Sequence, residues 1–179
     1  PNSPEMLAEM LEKQKEELDK KLEIADEVKK EAKKIFEEIV EAQDARMLRG
    51  TRGIKLLYED ILRSKQYNAF GAPLASVEIM GKTFWKNIDI KTQDKKIKIN
   101  LIFNESLRRH GENIEKEVKN INIKYIDHGF DPLTQTIVYA GKVAIIVWTE
   151  KPIITLINDK HAYESYNAFF NLLWKIAKS

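Results

Sequence analysis

The first part of the chain, from Glu5 to about Arg46, contains neither glycine nor proline and consists mostly of Glu, Lys, Leu, Ala and Ile. That composition predicts one long helix, with Ser3 as its N-cap and Pro4 at its first position. Such a helix is about 60 Å long and cannot bury an apolar stripe on its own. It therefore needs a packing partner.

An apolar stripe follows a heptad pattern along this helix. When Leu11 is placed at an a position, only Gln14 and Lys21 interrupt the apolar a and d series. The residues predicted to form a dimer seam are Leu7, Leu11, Leu18, Ala25, Val28, Ala32, Ile35 and Ile39. Sustained heptads are typical of coiled coils, so we predict a homodimer through this helix. The alternative is that the stripe packs along the rest of the same chain.

Beyond Arg46, glycine appears at Gly50 and Gly53, and helical and strand patterns alternate. We therefore predict two domains, a coiled-coil helix over residues 1–46 and a separate domain over 47–179. The second contains helical patterns at 54–62, 77–88 and 163–177, strand patterns at 66–72, 97–103, 121–125 and 153–157, and a hairpin over 136–148. This alternation predicts an α/β fold, a mixed sheet covered by helices.

Composition excludes several classes of function. The chain has no cysteine and three widely spaced histidines, so we expect no metal site, and we expect no cofactor. The net charge of +2 does not call for a nucleic-acid partner. No segment approaches the roughly 18 to 20 apolar residues of a membrane span, so we expect no membrane partner and a cytoplasmic location.

Several short segments occur in a recognisable order. The sequence from Arg49 to Lys55 opens a helix, a strand ends at Phe70 and Gly71, and residues 137–145 read Ile-Val-Tyr-Ala-Gly-Lys-Val-Ala-Ile. Asn158 and Asp159 then precede a helix that carries Phe-x-x-Leu-Trp over residues 170–174. Together with the coiled coil, these segments resemble the effector region of TrmB-like archaeal transcriptional regulators.

The resemblance implies a phospholipase D-like fold, whose active enzymes carry His-x-Lys-x-x-x-x-Asp-Gly. With the glycine of that motif set on Gly141, its catalytic positions fall on Leu133, Gln135 and Ala140. Leucine cannot attack phosphorus and glutamine supplies no fixed positive charge, and no other His-x-Lys occurs in the chain. We therefore expect no enzymatic activity. The resemblance also implies an upstream winged helix-turn-helix, absent from this chain, as the DNA-binding module.

Two candidate ligand sites follow from the sequence. Arg49 and Arg52, with Arg46 nearby, surround two glycines at a helix start and would suit an anion; the alternative is a glycine hinge with solvated or paired arginines. The second site is the cleft implied by the fold. Its polar candidates, suited to a sugar or another uncharged metabolite, are Asn100, Asn104, His128, Thr134 and Gln135. The alternative is that they satisfy loop backbone.

Other groups carry less information. Trp85, Trp148, Tyr125 and Tyr139 would suit sugar stacking, although aromatic residues in strands usually belong to the core. The carboxylates of Asp89, Asp94, Glu105 and Glu112 have no spacing that marks an acid and a nucleophile. We expect a dimeric effector-sensing region; the alternatives are a dimerisation scaffold without ligand and an enzyme of unrecognised mechanism. The sequence leaves open the effector, the operator and the choice between activation and repression.

Overall fold

The computed structural model describes residues 4–40, 44–127 and 132–179; within the first helix it describes the side chains of Met6 and of residues 11–31. The chain divides into two compact units, Pro1–Ala42 and Gln43–Ser179. The second unit therefore begins at Gln43 rather than at residue 47.

The first unit is the helix α1 (Pro4–Val40). Its glycine-free, alanine- and leucine-rich sequence satisfies the requirements of an uninterrupted helix, and the predicted long helix is confirmed over this range. All side chains from residue 11 to residue 31 are exposed in the single chain. Three residues of the predicted seam show this clearly, because the exposed fraction is 63% for Leu11, 59% for Leu18 and 58% for Val28.

The predicted end of this helix at Arg46 is wrong. Residues Asp44–Arg49 form the strand β1, which pairs antiparallel with the last strand from Asp44 opposite Asn158 to Arg49 opposite Ile153. The cause is tertiary: a strand more than a hundred residues away supplies the hydrogen-bond partners, and intrinsic helix propensity is too weak a preference to resist them.

The second unit is built on a seven-stranded mixed sheet with the order β1-β7-β6-β5-β2-β3-β4. The other strands are β2 (Gln66–Phe70), β3 (Lys98–Asn104), β4 (Ile121–Ile126), β5 (Thr134–Tyr139), β6 (Lys142–Val147) and β7 (Ile153–Asn158). Among the described strands, only the β2–β3 and β3–β4 pairs are parallel. The remaining neighbours are antiparallel.

Helices cover both faces of this sheet. They are α2 (Gly50–Ile61), α3 (Ala75–Met80), α4 (Lys82–Asp94), α5 (Arg108–Glu117) and α6 (Lys160–Ile176). The larger core joins α2 and parts of α3, α4 and α5 to one face, and a smaller core of Ile102, Phe170 and Ala177 lies beneath α6 on the other. We call these the main face and the α6 face. The predicted mixed sheet covered by helices is confirmed.

Two local elements differ from the sequence patterns. The run through Val77, Met80, Phe84 and Ile88 is two helices, because Gly81 adopts φ 79° between them. The positive φ ends α3 after six residues and starts α4 in a new direction. The helix α5 was not predicted at all.

Candidate functional site

The hairpin of β5 and β6 fixes the positions that the catalytic motif would occupy. Ala140 and Gly141 connect the two strands and both have positive φ, 43° and 79°, which is the backbone of a type I′ hairpin turn. Leu133 lies just before β5 and is 57% exposed, whereas Gln135, within β5, is 4% exposed. The motif's spacing therefore maps onto a well-formed hairpin without its chemical groups.

The Gln135 side chain has a structural partner. Its Oε1 accepts a hydrogen bond of 3.0 Å from the indole Nε1 of Trp148, which is buried. Burial raises the pKa of Tyr58 well above its usual value, and the neighbouring Gln135 amide offsets part of that effect. Gln135 thus serves to satisfy buried polar groups of the main face.

The sheet separates the residues predicted to line one cleft. Side chains alternate between faces along a strand, and the register puts Gln135 on the main face with Ile137, opposite Ala69 of β2. Thr134, one residue earlier, points to the other face. His128 lies outside the described residues.

The asparagines of β3 belong to the α6 face, where a chain of amides runs across three strands. Asn122 Nδ2 donates to Asn100 Oδ1 at 3.1 Å, and Asn100 Nδ2 donates to Asn68 Oδ1 at 2.9 Å. Asn68 Nδ2 then donates to Asn167 Oδ1 of α6 at 3.1 Å. Both the donor and the acceptor of the Asn100 amide are therefore used in hydrogen bonds within the series that links the strands to α6. Asn104, on the same face, is 6% exposed.

The arginine site predicted at the start of α2 is open and exposed. Arg49 and Arg52 are exposed, and no side chain caps the helix. Gly50 has φ 67° and donates its N–H to Pro152 O at 2.7 Å, and Arg46 pairs with Asp44. At Gly53 an added Cβ would lie 3.0 Å from side-chain atoms of both Leu48 and Ile154, so that glycine allows close packing of α2 on the sheet. These contacts account for the glycines without a ligand.

A cavity of about 410 Å³ lies on the main face, between α4 and α5. Each helix contributes residues spaced i, i+3, i+4 and i+7, which share one side of a helix. The helix α4 contributes Lys82, Trp85, Lys86 and Asp89, and α5 contributes His110, Asn113, Ile114 and Glu117. Both helices thus present a mixed aromatic, apolar and charged surface to the same space.

The floor and inner wall of the cavity are aromatic and apolar. Leu101 and Phe103 of β3 form the floor, and Tyr67 of β2, Tyr58 of α2 and Gln135 line it further in. The rings of Tyr58 and Trp85 meet edge to face, with centroids 5.1 Å apart. A small, mostly apolar space with a few converging polar groups is the usual form of a ligand site.

Asp89 is the half-buried charged group of this cavity. Burial and the like charge of Glu117 raise its pKa from 3.8 to about 6. Burial likewise raises the pKa of Tyr67 far above its usual value, with Asp89 adding to the effect. On the opposite helix, burial lowers the pKa of His110. All three pKa changes disfavour the charged forms of groups withdrawn from water.

Sequence reasoning named one residue of this cavity, Gln135, as a ligand contact and missed the others. Trp85 was noted only as a possible stacking surface for a sugar, and Asp89 only as a carboxylate without a distinctive spacing. The i, i+3, i+4, i+7 spacing of the α4 residues was a usable signal, but the opposing stripe lies on α5, the helix that was not predicted.

Comparison with solved structures shows that this mixed sheet covered by helices is a phospholipase D-like fold. Nuc from Salmonella typhimurium, a phospholipase D family member, has a TM-score of 0.57 and 10% identity over 76% of this chain and 97% of its own. NucT from Helicobacter pylori has a TM-score of 0.59 and 8% identity over 77% of this chain and 99% of its own.

TrmBL2, described as an archaeal chromatin protein with a novel mode of DNA binding, is similar over 97% of this chain and 69% of its own, with a TM-score of 0.54 and 15% identity. No protein family and no curated protein matches the sequence. At these identities the similarities establish the fold and leave activity open.

Two further searches concern only the described residues. None of their helices is long and apolar enough to cross a bilayer. Within the same ranges, no group of three or more His, Asp or Glu residues is arranged to hold a metal ion.

Proposed function

We propose that this chain is the dimerisation and effector-sensing region of a TrmB-like transcriptional regulator, without catalytic activity, and that it controls an attached DNA-binding module. One observation carries the proposal: a long helix with an exposed heptad stripe precedes a phospholipase D-like domain. The similarity to TrmBL2, a DNA-binding protein by its description, extends over nearly the whole chain and supports it.

The exposure of the stripe supports self-association. Leu11, Leu18, Val28 and Ala25 are exposed in the single chain, and leaving large aliphatic side chains in water forgoes roughly 1.5–3 kcal/mol each. A second copy aligned in register would cover the same positions on both helices. Leu7, Ala32, Ile35 and Ile39 belong to the same predicted seam, but their side chains lie outside the described set.

The absence of catalysis is supported by the positions of Leu133, Gln135 and Ala140 relative to the hairpin. An aliphatic chain, a buried amide engaged by Trp148 and a turn methyl group replace the acid–base and cationic groups that phosphodiester cleavage requires. We expect the purified chain not to hydrolyse bis(4-nitrophenyl) phosphate. Hydrolysis that co-purifies with the chain through every step would favour the enzyme alternative.

Sedimentation velocity tests the dimer. We expect the wild-type chain to sediment as a dimer at tens of micromolar, and Leu18→Lys combined with Val28→Lys to give a monomer, because two charges would be buried in the seam. The control is Glu23→Gln, on the outer side of the same helix. A monomeric wild type, or a double variant that stays dimeric, would remove the basis of the proposal.

Thermal-shift screening separates effector sensing from a scaffold without ligand. A ligand at a hundred times its dissociation constant stabilises the folded state by roughly 2.7 kcal/mol. Sugars and other uncharged metabolites, phosphometabolites and organic amines form the panel. A dimer that no compound stabilises would favour the scaffold.

A further inference from the structure

The cavity between α4 and α5 is lined by two carboxylates, one from each helix. Asp89 lies on α4 and Glu117 on α5, and the charge of Glu117 is felt at Asp89. Across residues 44–127 and 132–179, the Asp89 carboxylate forms neither an ion pair nor a side-chain hydrogen bond. A half-buried negative charge without a counter-ion is costly, so this position favours an added positive charge.

The lysines that also line the cavity do not supply that charge. Lys82 and Lys86 precede Asp89 by two turns and one turn on the same helix, and both are exposed. Neither reaches Asp89 within ion-pair distance in the described part of the chain. Both lysines are exposed, whereas Asp89 and Trp85, which line the same cavity, are half-buried.

Aromatic groups complete the inner wall. The Trp85 indole is fixed by a hydrogen bond of 3.0 Å from its Nε1 to Ser76 O, and its ring packs against Tyr58. Phe103 forms part of the floor. Aromatic faces attract organic cations, and do so more strongly when water is excluded. Among the described residues no group of three or more His, Asp or Glu side chains is arranged to hold a metal ion, so the two carboxylates suit an organic cation better.

We propose that this cavity binds a small organic cation, an amine or amidine on an aromatic or aliphatic body, with Asp89 as its counter-ion and Trp85 as its wall. Binding of such a cation follows from the cavity alone. That the cation is the regulator's effector rests on the function proposed above. The volume, about 410 Å³, is within the range of small-molecule sites.

Matched probes test the charge preference on the full chain. Benzamidine and 2-naphthamidine are compared with benzamide and 2-naphthamide, which have nearly the same shape and no charge. Binding is followed through the three tryptophan indole N–H signals in nitrogen-15 correlation spectra, assigned with Trp85→Phe and Trp174→Phe. We expect the amidines to bind at least about tenfold more tightly than the amides. The Trp85 signal should move, whereas that of Trp174, on the α6 face, should stay in place.

Asp89→Asn tests the assigned counter-ion, with Asp94→Asn as a matched control on the same helix outside the cavity. We expect Asp89→Asn to weaken amidine binding by about tenfold or more and to leave amide binding unchanged. Asp94→Asn should bind both as the wild type does.

Several results would overturn the assignment. They are amides that bind as tightly as amidines, equal effects of the two variants, a shift at Trp174 instead of Trp85, and no saturable amidine binding at millimolar concentrations. Sedimentation of the wild-type chain and of Asp89→Asn measures dimerisation independently of amidine binding, so the cation site and the proposed function can fail separately. A chain that dimerises but does not bind amidines contradicts the cation site alone, and a monomer that binds them contradicts the dimeric regulator alone.

Discussion

Replacing Asp89 by asparagine should stabilise the second unit at neutral pH and have no effect in acid. The pKa of Asp89 rises from 3.8 to about 6 on folding, through burial and the charge of Glu117. Between these values the folded state binds more protons than the unfolded state, so the free energy of unfolding falls as the pH rises. Below about pH 3.8 the Asp89 carboxyl is protonated in both states, and its burial does not destabilise the fold. Above about pH 6 it is charged in both states, and the loss in the free energy of unfolding reaches its full size.

The size of the effect follows from the two pKa values. The interval between 3.8 and about 6 corresponds to roughly 3 kcal/mol. Asp89 keeps partial contact with water, so solvent screening reduces the expected gain to about 1.5 kcal/mol. The titratable groups that line the cavity with it are Tyr58 of α2, Tyr67 of β2, His110 and Glu117 of α5, and Lys82 and Lys86 of α4 itself. Asparagine preserves the side chain's shape and removes the charge that these surroundings disfavour.

Urea unfolding at a series of pH values measures the effect. All three tryptophans lie within Gln43–Ser179, so their fluorescence reports the unfolding of this unit alone. We expect Asp89→Asn to exceed the wild type by about 1.5 kcal/mol near pH 7.5 and to match it near pH 4. Asp94→Asn should track the wild type throughout. The reasoning is refuted if Asp89→Asn gives no gain at neutral pH, or a gain that persists undiminished in acid.

Two further pairs of substitutions test the packing of the fold. Gly71 and Gly81 have nearly equal φ values, 76° and 79°, but only at Gly71 would a Cβ meet backbone, 2.5 Å from Thr134 O. Gly81→Ala should therefore cost about 1–2 kcal/mol for its backbone conformation and Gly71→Ala at least about 2 kcal/mol more; equal losses in urea unfolding would contradict this. Asn100→Ala should cost about 1–3 kcal/mol, because it removes a partner from both neighbouring amides. Asn122→Ala, at the exposed end of the same chain of amides, should cost less, and calorimetric melting of the two variants decides the order.

The regular elements could be predicted wherever one period dominated the pattern. The alternation of Ile97, Ile99, Leu101 and Phe103 marks β3, because one face of that strand is buried in the main core. The predicted last helix begins at Lys160, three residues before its apolar pattern, and is capped by the Asp159 carboxylate, which accepts a hydrogen bond of 2.7 Å from the backbone N–H of Ala162. Both signals are local, so the sequence contains them.

The elements that were missed depend on distant partners. The strand β1 forms because it pairs with β7, and residues 44–49 lack the clear alternation of apolar and polar side chains that would predict a strand. The helix α5 packs through Gly111, where an added Cβ would lie 2.4 Å from the Tyr125 hydroxyl oxygen. A glycine inside a helix weakens the local signal, and its close contact with β4 is a property of the folded chain.

The candidate site was the least predictable part. Asn100 and Gln135 both looked like ligand groups because they are polar residues in apolar strands, yet the first joins three strands to a helix and the second accepts from Trp148. Conversely, Asp89 looked like one acidic residue among many. Its significance comes from the space between two helices, which sequence spacing on either helix alone does not reveal.

The chain of amides on the α6 face has a direction, since each of its three hydrogen bonds is donated by the asparagine farther from α6 to the next one towards that helix. Apolar contacts such as those of Phe170 hold a helix firmly but permit it to slide. The hydrogen bond between Asn68 and Asn167 does not permit sliding, because displacing the helix would leave the buried Asn68 amide without its partner. The hydrogen bond that Asn167 accepts from Asn68 therefore fixes the position of α6 on the sheet, while the neighbouring aromatic side chains hold the helix against it.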